Sequence, residues 1–464
     1  MRPIDLETHT PALAGVLLSP YTRLLVAAST CLILGCDSAA PAAVEPPKCA
    51  VPSPAISAFT ATPSSVVAGQ SATLSWTVTG ATQIALTPSP GALGSSTVVV
   101  TPAATTTYQL SATNCAGTTT AQTLVTIAPP APAPTLYVSP DQFTPATPID
   151  GFNVQARYGV GSNAYTRTTP ILIRYPQGAT GRRPLVLWSH GGGMLEGGKY
   201  NNEDWGNLFV RAGYIVVHMS HMPKTATEFR ALYTEFGITV PDSVTSAVAE
   251  FAASIDRPRD AISVLNALAT LETTYPQLAG RIDYDRIGLA GWSRGSYTAR
   301  TVACARINVA PNILRYSFRD TTKATNTPLR VQPKTVLAMS PQGPGSLGFY
   351  DNGAGDHSWS TCTLPDLTQT ASGDNSDTPF TNRIAPFPLL PAGNKYLMFI
   401  SDVLATHESF GLNNPSAPQF DPWITSTALA FLDGHLKGLA VGRAYLASST
   451  LQTISNGKAT VTTR

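Results

Sequence analysis

Ser293 stands in "RIGLAGWSRGSYTA", residues 286–299, between Gly291 and Gly295. The apolar run before it reads as a strand, and "SYTARTVACARI" after it reads as a helix. A serine on a sharp strand-to-helix turn sits in strained backbone, needs neighbours without bulk, and receives the free N–H groups of the helix start. That is the setting of a nucleophile. Gly291, Gly295 and the small Ser296 meet the steric demand. A second stretch, "PLVLWSHGGGMLEGG", sets His190, Gly191, Gly192 and Gly193 directly after another apolar run. Glycines there let backbone N–H groups come close to a substrate oxygen. The oxyanion hole is assigned to the amide of Gly192, with Gly193 as the alternate, and to the amide of Arg294. His190 is expected to brace this loop rather than act as a base. Trp292 beside the nucleophile is the candidate for lining a substrate pocket; Trp188 shares that possibility, and plain core is the other reading of both.

A serine nucleophile needs a base and a carboxylate to orient it. On a sheet with this turn the acid follows the nucleophile and the histidine comes last. His357, His407 and His435 lie beyond Ser293. His435, in "FLDGHLKGL", has a helical surface pattern and is expected to be solvated. His357 precedes the seventh apolar run and falls at the wrong end of the sheet. His407, in "ISDVLATHESFG" after the eighth run, is assigned as the base. "LTQTASGDNSDTPF" offers Asp374 and Asp377; Asp374 is nearer the strand end and is the first choice, with Asp377 open. Asp366 lies at the strand's start. The chemistry is attack of the Ser293 hydroxyl on a carbonyl, with His407 taking the proton and Asp374 holding the ring. It calls for no cofactor, and no His/Cys/Asp cluster has metal-ligand spacing (metal: none).

These residues must be carried by strands. Apolar runs near 152–158, 170–175, 184–189, 213–219, 286–291, 334–340, 366–372 and 395–401 read as strands covered on both faces. Between them "RPRDAISVLNALATL" and "TSTALAFLDGHLKGL" have helical spacing. Residues 136–464 are therefore expected to form a doubly wound, eight-stranded α/β sheet with its site at the carboxyl ends of the strands. Residues 53–128 differ: "SATLSWTVTG" and "TTTYQLSATN" alternate apolar and polar positions between turn formers, as in a small all-β sandwich. Residues 129–135 are a proline-rich linker and 36–52 an extended tether. Charged residues make up 12% of the chain and the formal net charge is +2, without a basic cluster, which argues against nucleic acid as a partner.

Residues 1–35 read as a signal peptide: Arg23 precedes an apolar run from Leu24 to Leu34, too short to span a bilayer comfortably. Its end, Ile33-Leu34-Gly35-Cys36, resembles the bacterial lipoprotein box, which implies lipidation of Cys36 and a place in the cell envelope outside the cytoplasm. In that oxidising setting Cys49, Cys115, Cys304 and Cys362 can pair in three ways, and one bridge per domain is expected. The segment "ISAFTATPSSVVAGQSATLSWTVTGAT" onward resembles the immunoglobulin-like domains of bacterial surface proteins. That architecture implies Cys49 near Cys115 and a spacer role. Cys304, about three helical turns after Ser293, and Cys362 fall at the edge of the sheet away from the site, where a bridge is expected and two free thiols are the alternative.

Residues 150 to 440 resemble the α/β-hydrolase superfamily, in its dienelactone-hydrolase-like and platelet-activating-factor-acetylhydrolase-like branch, near bacterial polyester hydrolases. "LWSHGGG", "RPRDAISVLNAL", "RIDYDRIGLAGWSRGSYTA", "LAMSPQGPGSLGF", "LTQTASGD" and "PAGNKYLMFISDVLATHESF" carry the resemblance. It implies Ser293, Asp374 and His407 as a triad. Arg294 departs from the smaller or apolar residue usual after the nucleophile. The expected function is hydrolysis of small-molecule or polymeric carboxylic esters through an acyl-enzyme, by an exported, lipid-anchored monomer. The alternatives are an inactive surface-binding protein on a hydrolase scaffold and an amide hydrolase. The insertion at 222–256 and the Gly-rich "QGPGSLGFYDNGAGDHSW" are expected to overhang the site and set its substrate.

Overall fold

The computed structural model describes residues 49–90, 93, 96–129, 132–159 and 161–464. The signal segment, Cys36 and most of the tether lie outside the described residues. The chain divides into two compact units, one ending at Ala131 and the other Pro132–Arg464. In the first unit, period-2 alternation produces two small sheets. One has the order β1 (Ala55–Thr62), β3 (Ala72–Thr79), β5 (Thr97–Val100), and the other β2 (Ser65–Val67), β7 (Gly117–Ala128), β6 (Thr106–Asn114), β4 (Gln83–Thr87). All pairs are antiparallel except β2 with β7. Leu74 and Trp76 of one sheet share a core with Tyr108, Leu110 and Val125 of the other. Cys49 is disulfide-bonded to Cys115, with Cα atoms 5.6 Å apart.

The second unit is built on one nine-stranded sheet. Its strands are β8 (Asn153–Tyr158), β9 (Tyr165–Arg174), β10 (Arg183–Ser189), β11 (Ile215–Met219), β12 (Ile282–Trp292), β13 (Thr335–Met339), β14 (Asp366–Ala371), β15 (Lys395–Ile400) and β16 (Ala459–Thr463). Their order is β16-β15-β14-β13-β12-β10-β11-β9-β8. The six strands from β11 across to β15 run parallel; β8, β9 and β16 are antiparallel additions. Strand order reverses between β10 and β12, which opens a crevice at their carboxyl ends. His190 and Ser293 follow those two ends directly.

The helices are α1 (Glu203–Arg211), α2 (Ala226–Glu235), α3 (Ser246–Asn266), α4 (Leu268–Thr274), α5 (Arg294–Ala303), α6 (Phe380–Ile384), α7 (Asp421–His435), α8 (Ala440–Ala447) and α9 (Thr450–Ile454). Because side chains alternate along a strand, each run feeds two cores. Leu185 and Leu187 of β10 pack with α3 and α5, and Val186 and Trp188 pack with α1 and α7. Arg300 of α5 reaches Asp366 at the start of β14 at 2.8 Å, with both side chains buried. Cys304, just past α5, is bridged to Cys362 with Cα atoms 4.9 Å apart. Among the described residues no helix is long and apolar enough to cross a membrane.

Three features depart from the sequence reading. The sheet has nine strands rather than eight: β16 adds to β15, and its burial is confined to Ala459 and, in part, Thr460 and Val461. Helix α3 starts at Ser246 and runs through Pro258. Proline brings no N–H, so the carbonyl four residues earlier loses its helical donor; the Tyr297 hydroxyl donates to Ser254 O at 2.8 Å in its place. His435 is half-buried rather than solvated. It meets the Tyr396 hydroxyl at 3.1 Å, and burial, with Arg443 next, pushes its pKa down to about 4.

Candidate active site

Ser293 caps α5 with φ 55° and ψ −126°, a conformation side chains rarely adopt. The turn is held by Ser293 N–H donating to Met339 O at 2.9 Å and by Ser296, whose hydroxyl reaches Gly291 O at 2.7 Å. Its glycines are sterically required. A Cβ on Gly295 would lie 1.9 Å from Ser189 O, and one on Gly291 would lie 2.3 Å from the Gly295 carbonyl carbon. Ser293 Oγ is met by Gln342 Nε2 at 3.5 Å.

His407 opens a 3-10 turn after β15, and Asp374 follows β14. A single bridge between Gly373 and Thr406 brings the two loops together. Here too glycine is demanded, since a Cβ on Gly373 would lie 2.2 Å from Val403 O. His407 Nδ1 lies 2.9 Å from Asp374 Oδ1 and 2.5 Å from Ser340 Oγ. Asp374 is wholly buried; its Oδ2 accepts from Thr370 Oγ1 at 2.8 Å, and Arg383 Nε stands 2.9 Å from its Oδ1. Arg383, also buried, donates to Ser340 O at 3.1 Å and to Asp377 Oδ1 at 2.9 Å. Burial alone would raise the Asp377 carboxyl, but the Arg383 contact outweighs it and the net shift is downward. Asp377 thus serves Arg383, and Asp374 is the aspartate at the histidine. The short segment 340–342 touches both halves of the site: Ser340 meets His407 and Gln342 meets Ser293. Trp292 closes the gap from the other side, its ring 5.0 Å from the His407 ring and its Nε1 donating to His407 O at 3.0 Å.

The glycine loop at 190–193 is fixed from beneath by Arg257 of α3. This buried guanidinium donates to Gly192 O at 3.2 Å, to Gly193 O at 3.0 Å and to His190 O. Carbonyls drawn inward leave the Gly192 and Gly193 amides free of that task, and a Cβ at either glycine would meet open space. Burial and then the neighbouring Arg294 lower the Arg257 pKa to about 9. Behind it lies a second chain: Ser189 Oγ to His221 Nε2 at 2.9 Å, and His221 Nδ1 to Asp260 Oδ2 at 2.9 Å. Arg167 and Thr169 complete the Asp260 contacts, at 2.5 Å from Arg167 Nε and 3.2 Å from the Thr169 hydroxyl. His190 is buried with Nδ1 against Gly191 O at 2.6 Å. Burial, with Arg257 next, holds both His190 and His221 well below the ordinary histidine pKa.

The structure therefore brings Ser293, Asp374, His407, Trp292, Arg294 and the 190–193 loop to the carboxyl end of the sheet. It leaves His357, His435 and Asp366 elsewhere. Sequence reasoning missed Arg257, His221, Arg383, Ser340 and Gln342. The signals were "RPRD" at 257–260, whose three charged residues are all buried, and "LAMSPQGPGSLGF" at 337–349, which holds Ser340 and Gln342. Among the described residues no group of three or more His, Cys, Asp and Glu side chains is placed to hold a metal ion. No protein-family model matches the chain, and no curated protein matches it either.

Proposed function

We propose that the Pro132–Arg464 unit is a serine-dependent carboxylic-ester hydrolase of the α/β-hydrolase type, carried by an immunoglobulin-like spacer on an exported, lipid-anchored chain. One observation supports this most. Asp374 and His407 meet at 2.9 Å, and the His407 ring lies 5.0 Å from that of Trp292, the chain neighbour of Ser293, which sits at positive φ on the N-terminus of α5. In this reading Ser293 Oγ attacks the ester carbonyl carbon while His407 Nε2 takes its proton. A serine hydroxyl moves between staggered wells, and catalytic hydrogen bonds often tighten only around substrate. Leaving Gln342 for His407 is such a move. Asp374 accepts a hydrogen bond from Nδ1–H, fixing the tautomer and stabilising the imidazolium. The amides of Gly192 and Arg294 hold the developing oxyanion, with each such donor worth on the order of 3 kcal/mol. The proton then passes to the departing alkoxide, and water, activated by His407, releases the acid. The fixed dipole at the start of α5 favours the same negative charge.

The test is turnover of p-nitrophenyl butyrate by the unaltered chain and by Ser293→Ala. The expected result is a fall of at least about 10³-fold in kcat in the variant. Equal rates remove the assignment.

A further inference from the structure

A cavity of about 430 Å³ opens beside the nucleophile, lined by Gly193 and Arg294 and walled by the insertion after β11. Met194, Pro223, Phe229, Ala249, Ala252 and Ala253 make its sides apolar. Its mouth is the half-exposed pair Arg294 and Glu250, 3.7 Å apart. At its closed end are Lys224 and Asp256, with side chains 1% and 0% exposed.

That closed end is polar and incompletely satisfied. Lys224 Nζ donates to Tyr165 Oη at 2.9 Å and stands 3.2 Å from Asp256 Oδ2 as an ion pair, with Arg167 Nη1 3.7 Å from the same oxygen. An ammonium has three donors, so Lys224 is not saturated by these contacts. Asp256 Oδ1 and Oδ2 are both buried and neither accepts a hydrogen bond. A buried acceptor without a donor is costly, and a fitting ligand group recovers that cost. Burial lowers the Lys224 pKa, with Asp256 opposing the shift and Arg167 adding to it. The complement must donate to a carboxylate and accept from an ammonium at one point. A hydroxyl does both with a single oxygen; a methyl end does neither, and a carboxylate end would face Asp256.

We propose that this cavity holds one aliphatic arm of the substrate and that Lys224 and Asp256 read a hydroxyl at the end of that arm. The preferred substrates are then esters of ω-hydroxy acids or of diols. The ester bond itself rests on the hydrolase reading above; the cavity's preference for a hydroxyl-tipped chain does not.

The experiment separates the two. In the full chain carrying Ser293→Ala, binding of methyl ω-hydroxyhexanoate and of methyl hexanoate is measured by calorimetry. The hydroxy ester is expected to bind at least tenfold more tightly. Adding Ala249→Trp, at an exposed position on the cavity wall, is expected to weaken the hydroxy ester at least tenfold. Adding Lys224→Met is expected to bring the two esters together. Equal affinities in the Ser293→Ala chain, or no effect of Ala249→Trp, overturn the proposal. Turnover of p-nitrophenyl acetate by the unaltered chain is the separate readout. Without it, a hydroxyl preference that answers to Lys224 still upholds the cavity, and only the esterase reading falls.

Discussion

Two chains of Asp, His and Ser run through the same end of one sheet. In the first, Asp260 meets His221 at 2.9 Å and His221 meets Ser189 at 2.9 Å. In the second, Asp374 meets His407 at 2.9 Å, while Ser293 is met by Gln342 at 3.5 Å. By hydrogen-bond distance alone the first is the better triad. Yet its serine lies in a regular strand and its histidine is sealed at 0% exposure, against 8% for His407. The second puts its serine at positive φ on a helix start, beneath a glycine loop, beside a cavity. Nucleophilic chemistry needs a reachable oxygen and donors aimed at the charge that develops. The first chain has neither, and its linked contacts instead brace the loop that serves the second.

Substitution at the two histidines is the strongest way to break this comparison. His407→Ala is expected to lower kcat by about 10⁴-fold or more with a small change in stability. His221→Phe removes its hydrogen bonds to Ser189 and Asp260, at about 0.5–3 kcal/mol each, while Arg257 and Arg167 still reach those oxygens, and is expected to lower kcat by under about tenfold. Steady-state kinetics and denaturant melts of both variants read this out. The reverse pattern would make the buried chain the catalyst.

Arg257 joins the two regions and is expected to give a mixed effect. In Arg257→Met the carbonyls of His190, Gly192 and Gly193 lose their shared donor. The loop amides then lose their aim, and a fall of about 10²-fold in kcat is expected, with KM changing less. Melts should show a loss of stability alongside it. A variant that loses stability but keeps kcat would show that the loop holds its shape without the guanidinium.

What the sequence revealed of these two regions follows from how local each signal is. Ser293 was legible because its glycines, strand and helix are contiguous, and steric demand at a tight turn shows itself within five residues. The parallel strands were legible as apolar runs. By contrast β16 exists because β15 offers an unpaired edge, and "ATVTT" carries no run to announce it. Arg257 and His221 were invisible as a brace because their partners lie 32 to 68 positions away. The helical spacing of "RPRDAISVLNALATL" was legible, but not the turns before it, nor that the Tyr297 hydroxyl of α5 would take the Ser254 carbonyl that Pro258 leaves without a donor. Arg383 reads as a surface charge until the loops carrying Asp374 and Ser340 close over it.

The smallest expected effect tests the chemical difference between the two histidines. In the proposed mechanism His407 takes and returns a proton in every turnover, whereas His221 must stay neutral for its Nε2 to accept from Ser189. Burial first, then Arg257 and Arg167, keeps the His221 pKa well below its ordinary value. His190 is lowered by burial and Arg257, and His218 by burial and Arg174, the latter to about 3. The folded pKa values lie below that of the unfolded chain, about 6.5. The unfolded state therefore binds protons that the folded state refuses. The stability these groups contribute is complete above pH 6.5 and is lost as pH falls from there toward the folded values. His218, held at about 3, should remove about 2 kcal/mol between pH 7 and pH 5, and His221 acts in the same direction. In His221→Gln, urea melts at those two pH values should show a smaller drop, because one refused proton is gone. An unchanged slope would mean that His221 takes its proton in the folded state, and the buried chain would then carry a charge that its neighbouring guanidiniums argue against.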